Sequence, residues 1–315
     1  MTSTLRATAR LTLLLFLVGL VASRAGVVVH ELGGHYGVAR SFGCTLTRLR
    51  LFLFGGGYVD YACGPLTAAQ QLATDLGGIA VQVGAGALLA FVAWRHAASR
   101  LTGLVLASMA VLFVVHGLFY LVTGIHYGVG DGRALHVLLG GERGGLVAIG
   151  SAVLVALCFL AATRLARRLA PWLPSHAGGA RRVAIACAAM LAAAALHGAA
   201  FELEQRVIAD AAYAATFRPE PAIAVERELR RYEVEERPAP EQVAERRRVL
   251  EQRHALFPLR PVLGAGMALA AVAGLFVALR RVDPPEPADA TGTIARAAVL
   301  FAIAEAIVVA LDRLL

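Results

Sequence analysis

Stretches of about 20 predominantly apolar residues, the length of one bilayer crossing, recur seven times along this 315-residue chain: near residues 11–38, 72–94, 101–124, 146–163, 183–201, 262–279 and 294–311. That recurrence leaves little choice of fold. The hydrocarbon layer offers no water to backbone N–H and C=O groups, so segments of this length must satisfy them internally, as helices do. With 58% hydrophobic residues and a mean hydropathy of +0.66, the expected fold is an all-α polytopic membrane protein of about seven transmembrane helices. A soluble enzyme is excluded. Alanine and glycine within the spans fit close packing, because small side chains let backbones approach where lipid removes the hydrophobic drive between helices. Arg6, Arg10 and the apolar run up to Ser23-Arg24-Ala25 mimic a secretory leader. Cleavage there would remove the helix that leads into His30, so an uncleaved first span is expected.

Ionisable side chains at membrane depth are costly and tend to mark working sites. The first span ends on such a group, His30-Glu31-Leu32-Gly33-Gly34-His35. Two imidazoles can hold a metal, and a neighbouring carboxylate can take a proton from water there. The histidines are five apart, whereas the common hydrolytic motif His-Glu-x-x-His sets them four apart. An α-helix turns about 100° per residue, so a spacing of four leaves two side chains roughly 40° apart and a spacing of five roughly 140°. Both rings can share one ion only if the turn widens to the i→i+5 pattern of a π-bulge or unwinds, and Gly33 and Gly34 make either distortion easy. A decayed, metal-free site is the alternative.

Gly130-Asp131-Gly132 follows the third span. Asp131 is a candidate third ligand, leaving the fourth position to water as a catalytic zinc requires. Topology supports the grouping: the first span ends at the histidines, the second crosses away and the third returns. His126 and His136 flank Asp131, with His126 the reserve ligand, and His116 inside the third span reads as a helix-to-helix hydrogen bond. Residues 45–61 read as a small hairpin or re-entrant sheet, alternating from Thr45, broken at Gly55-Gly56-Gly57 and resuming at Tyr58. It is either an edge for strand addition by a peptide or a plain connector. Cys44, Cys63, Cys158 and Cys187 show no paired ligand spacing. The first two could bridge the hairpin, but free thiols are expected.

Together these residues resemble the site-2 protease family of intramembrane zinc metalloproteases. The matching pieces are the His30 to His35 motif, the glycine-rich strand through Gly57, Gly78-Ile79-Ala80-Val81-Gln82 against the family's Gly-Pro-x-x-Asn, and Asp131-Gly132 against its Asp-Gly. The resemblance covers roughly residues 10–140. It implies that His30, His35 and Asp131 hold Zn2+, that Glu31 activates water, and that Gln82 and Gly57 position a substrate drawn from membrane proteins. The chain departs from the pattern in the additional glycine between the histidines, in Ile79 and Gln82, and in lacking an Asn-x-x-Pro run before Asp131.

Three segments are expected: a membrane-embedded metalloprotease-like core over 1–201, a charged helical extramembrane segment over 202–261, and C-terminal transmembrane helices over 262–315. Residues 202–261 carry 12 acidic and 11 basic residues. They read as ion-paired helices parted by Pro238 and Pro240, a solvated connector or a gate over the site. Pro284-Pro285-Glu286-Pro287 reads as a stiff linker. All 30 basic residues are arginine, which with the alanine content suggests a GC-rich bacterial source and an inner-membrane location. The net charge of +8 does not point to nucleic acid, because the arginines are scattered without interleaved aromatics.

Orientation draws two opposed expectations. The resemblance implies a site facing the cytosol. The short loops put 11 arginines on the face away from the histidines and 6 on the face that bears them, which by the positive-inside rule implies the reverse. The function expected is that of a zinc-dependent intramembrane endopeptidase. The other readings are a catalytically inactive protease-like scaffold and a metal or proton transporter, though no internal hydropathy repeat supports transport.

Overall fold

The computed structural model describes residues 3–95, 100–175, 177–280 and 289–314; the linker expected at Pro284–Pro287 lies outside them. Seven helical segments are long and apolar enough to cross a membrane: Thr4–Ser41, Ala68–Ala93, Arg100–Tyr127, Gly130–Trp172, Gly179–Ile208, Leu259–Leu279 and Ala290–Leu314. The protein is thus an all-α polytopic membrane protein with a small two-stranded antiparallel sheet.

In chain order, α1 (Ser3–Val28) passes through a π-helical segment (Val29–Tyr36) into α2 (Gly37–Ser41). Strands β1 (Thr45–Leu51) and β2 (Gly57–Ala62) follow, then α3 (Ala68–Arg95), α4 (Arg100–Val111) and a second π segment (Leu112–His116) that runs into α5 (Gly117–Tyr127). A 3-10 turn (Gly130–Gly132) and α6 (Arg133–Leu139) lead into α7 (Arg143–Leu169) and α8 (Gly179–Ile208). Three extramembrane helices, α9 (Ala211–Thr216), α10 (Glu220–Glu236) and α11 (Pro240–Arg253), precede α12 (Leu259–Leu279) and α13 (Ala290–Leu314). Helix α8 continues to Ile208, so residues 202–208 complete the fifth span instead of opening the extramembrane segment.

The main core lies at the end of the bundle away from the hairpin. There Leu11, Leu14 and Val18 of α1 meet Leu104 of α4, Ala166 and Leu169 of α7, Ala186 and Ala189 of α8, and Leu279 of α12. Alanines on the facing helices keep this contact close. A second cluster joins Val27, Leu49, Leu51 and Val308, packing β1 between α1 and α13.

The hairpin is held at its turn by charges from three spans. Arg24 of α1, 1% exposed, donates to the Phe52 carbonyl and faces Glu305 of α13 at 3.6 Å. Both Glu204 carboxylate oxygens, on α8, accept backbone N–H groups, one from Leu53 and one from Phe54. Asp312 of α13 accepts from the Leu51 N–H at 2.8 Å and from Arg50 at 3.0 Å. At the open end, where Thr45 pairs with Ala62, Cys44 and Cys63 form a disulfide. This corrects the free thiols expected from sequence. Strand pairing sets the two Cα atoms 4.3 Å apart, and only the register, invisible in cysteine spacing, reveals it.

Helices α10 and α11 form an antiparallel hairpin around Val225, Leu229 and Leu250, laced by pairs such as Arg231–Glu235 at 2.7 Å and Arg248–Glu245 at 2.9 Å. The segment is more than a solvated connector. Glu220 of α10 pairs with Arg133 beside the Asp131 turn, and the Tyr213 ring of α9 packs on Phe52 at 4.7 Å between centroids.

Candidate metal centre

Helix α1 meets α3 at the π-helical segment, and the contact is glycine on glycine. A Cβ on Gly34 would collide with the Gly78 backbone, so these helices approach to backbone distance only because neither residue carries a side chain. One on Gly78 would fall 2.5 Å from His35 Nε2 and 2.6 Å from His30 Nε2. Gly78 therefore clears the volume in which the two imidazoles meet.

The π pattern over Val29–Tyr36 is the distortion that the five-residue spacing demands. His30 and His35 lie on one face, with Nε2 atoms 3.2 Å apart and rings edge to face at 4.9 Å. Asp131 reaches them from the 3-10 turn after α5, with Oδ2 at 3.1 Å from His30 Nε2 and 3.2 Å from His35 Nε2. Among the described residues these three form the group of metal-ligating side chains whose donor atoms converge.

The remaining ring nitrogens decide what the three atoms can be. His35 Nδ1 sits 2.8 Å from the Thr74 carbonyl, which can only accept, so the proton is on Nδ1. His30 Nδ1 sits 2.8 Å from Gln82 Oε1, to which it donates when Nδ1 carries the proton. With Nδ1 carrying the proton, both Nε2 atoms present lone pairs to Asp131 Oδ2 and the three can share a metal ion; a proton on either Nε2, donating to Asp131, satisfies the same distances. Zinc bonds of about 2.0–2.1 Å in a tetrahedron place ligand atoms roughly 3.3 Å apart, and the observed edges of 3.1–3.2 Å fit that spacing. Two imidazole nitrogens and one carboxylate oxygen are also a donor set that zinc accepts.

Glu31, 6% exposed, lies on the same π segment and interacts electrostatically with His30, His35 and Asp131. Tyr61 lies on β2, which packs against the π-helical segment. Burial first, then Asp75, Asp131 and Glu31, push its phenol up to about 12, so it remains a neutral hydrogen-bond donor across the ordinary pH range.

Gln82 lies on the His30 ring. Gly57 opens β2 opposite Leu51, and a Cβ there would press on the Arg50 carbonyl at 2.7 Å, so Gly57 sits within the strand pairing and away from the ligand atoms. His126 bonds the Phe257 carbonyl at 2.8 Å and His136 the Ile125 carbonyl at 2.7 Å. The reserve ligand is therefore engaged elsewhere. His116 stacks on Tyr120 with rings 8° from parallel. Tyr120 was not a sequence candidate, yet its ring meets His30 at 6.1 Å and its hydroxyl packs where Gly130, at φ +50°, leaves no Cβ. Its signal in sequence is faint: an aromatic one helical turn after a membrane histidine. The Thr74 carbonyl, being backbone, had none.

Fold and site together define a polytopic helical membrane protein with a part-buried His-His-Asp cluster and an adjacent glutamate. No protein-family model, curated protein or solved structure matches the chain.

Proposed function

We propose that the protein is a zinc-dependent intramembrane endopeptidase of the site-2 protease type, cleaving peptide bonds of membrane proteins at the His30–His35–Asp131 centre, in a bacterial inner membrane. The observation that carries this reading is the convergence of two imidazole Nε2 atoms and one carboxylate oxygen within 3.2 Å, with a second carboxylate on the residue after His30. A divalent ion held there would supply Lewis-acid polarisation of a carbonyl and acidification of water. Gln82 and the Thr74 carbonyl, bonded to the Nδ1 atoms of His30 and His35, would keep both rings turned toward such an ion. Glu31 takes a proton from the attacking water on its carboxylate and returns it to the leaving amine. Tyr61 offers a neutral O–H on the hairpin side, suited to a carbonyl oxygen as charge develops there. The apolar spans keep bulk water low, which strengthens these interactions.

The test is cleavage of a single-span model substrate by the purified full chain in detergent or vesicles, alongside Glu31→Gln. Cleavage falling by roughly 10²–10⁴-fold with about one zinc per chain retained supports the reading. A variant that cleaves as the parent does refutes it.

A further inference from the structure

We propose that the His30–His35–Asp131 centre, with the hairpin beside it, opens to the oxidising, non-cytosolic side of the membrane, so that its substrates are segments presented from that side. A covalent feature leads there. Cys44 and Cys63 clamp the hairpin in a disulfide, and the reducing cytosol does not sustain structural disulfides. The hairpin cannot be assigned to one side and the centre to the other. Only the short α2 separates the π-helical segment from the Cys44 to Leu51 stretch, and β2 packs against that same π-helical segment.

The partition of charge does not choose between the two faces. With seven spans, the chain returns to the centre's face at residues 42–67, 128–142 and 209–258 and beyond α13, and to the opposite face at its start and after α3, α7 and α12. On that opposite face Arg6 and Arg10, the Arg95–Arg100 connection, and the stretch from Arg164 to Arg182 contain no aspartate or glutamate. Arginine near span ends is retained on the cytosolic side. On the centre's face the segment 209–258 carries arginines too, some tied to glutamates, as in Arg218–Glu226 and Arg253–Glu228. At 50 residues the segment is short enough for its nine arginines to count, and they offset those of the opposite face, so the disulfide carries the proposal.

The proposal uses neither metal nor cleavage, so it stands or falls separately from the peptidase reading. The test is labelling of the full chain in sealed cells or spheroplasts with a membrane-impermeant maleimide, at Val234→Cys on exposed α10 and Ser175→Cys between α7 and α8, each against the parent chain as background. Labelling of V234C at ten or more times the level of S175C, with S175C catching up only after permeabilisation, is the expected result. Equal labelling of the two positions, or the reverse order, overturns the proposal. Membranes quenched with N-ethylmaleimide and digested without reductant provide a second reading on the unaltered protein. A linked Cys44–Cys63 peptide is expected, and recovery of both as alkylated thiols overturns it.

Discussion

At the scale of single residues, the centre depends on hydrogen bonds made on the far side of each ring. Gln82 and the Thr74 carbonyl bond the Nδ1 atoms of His30 and His35, and loss of such a partner typically weakens metal binding 10–100-fold. Gln82→Leu is therefore expected to raise the zinc dissociation constant by that factor without unfolding the chain, as a competition titration against a chelator would show. An unchanged constant would mean that Gln82 acts elsewhere. The candidate ligands were visible in sequence because His, Glu and Asp are conspicuous in apolar surroundings. Gln82 stood out only through a motif likeness, and its position on the His30 ring depends on how α1 and α3 pack. No sequence pattern could supply Thr74, since it contributes its backbone.

Among the elements, the π-helical segment decides whether a five-residue spacing can work. The spacing and the two glycines predicted a widened turn, and it is present over Val29–Tyr36. The glycines are not equivalent, however. A Cβ on Gly33 would meet only Val81 at 3.5 Å, an ordinary contact, whereas one on Gly34 would strike the Gly78 backbone. Gly33→Ala is expected to keep metal and near-parental stability. Gly34→Ala should lose about 1–3 kcal/mol from overpacking together with its metal, as thermal unfolding in detergent and elemental analysis would report. Equal tolerance at both positions would contradict the helix contact described here. The hairpin was legible from alternation and its glycine break, and the second π segment at Leu112–His116 was not, because nothing in its residues departs from an ordinary apolar helix.

At the scale of the whole molecule, the shared face of His30, His35 and Asp131 followed from counting crossings, and the seven spans supply that geometry. Buried Arg24 and part-buried Glu305 were hidden inside apolar runs, and buried Glu204 among the charges of residues 202–261, so their role in tying α1, α8 and α13 to the hairpin emerges only from packing. Removing one member leaves an uncompensated buried charge, which costs roughly 3–5 kcal/mol. Arg24→Met should therefore lower the unfolding temperature markedly while Arg24→Met combined with Glu305→Leu recovers part of the loss; equal damage in both would argue that Arg24 acts through Phe52 alone. The central claim concerns the ion itself. The most direct measurement is the zinc-to-protein ratio of the full chain purified without chelator, beside that of His35→Ala. A ratio of about one in the parent and near zero in the variant is predicted; no zinc in the parent, or the same content in both, would contradict the account.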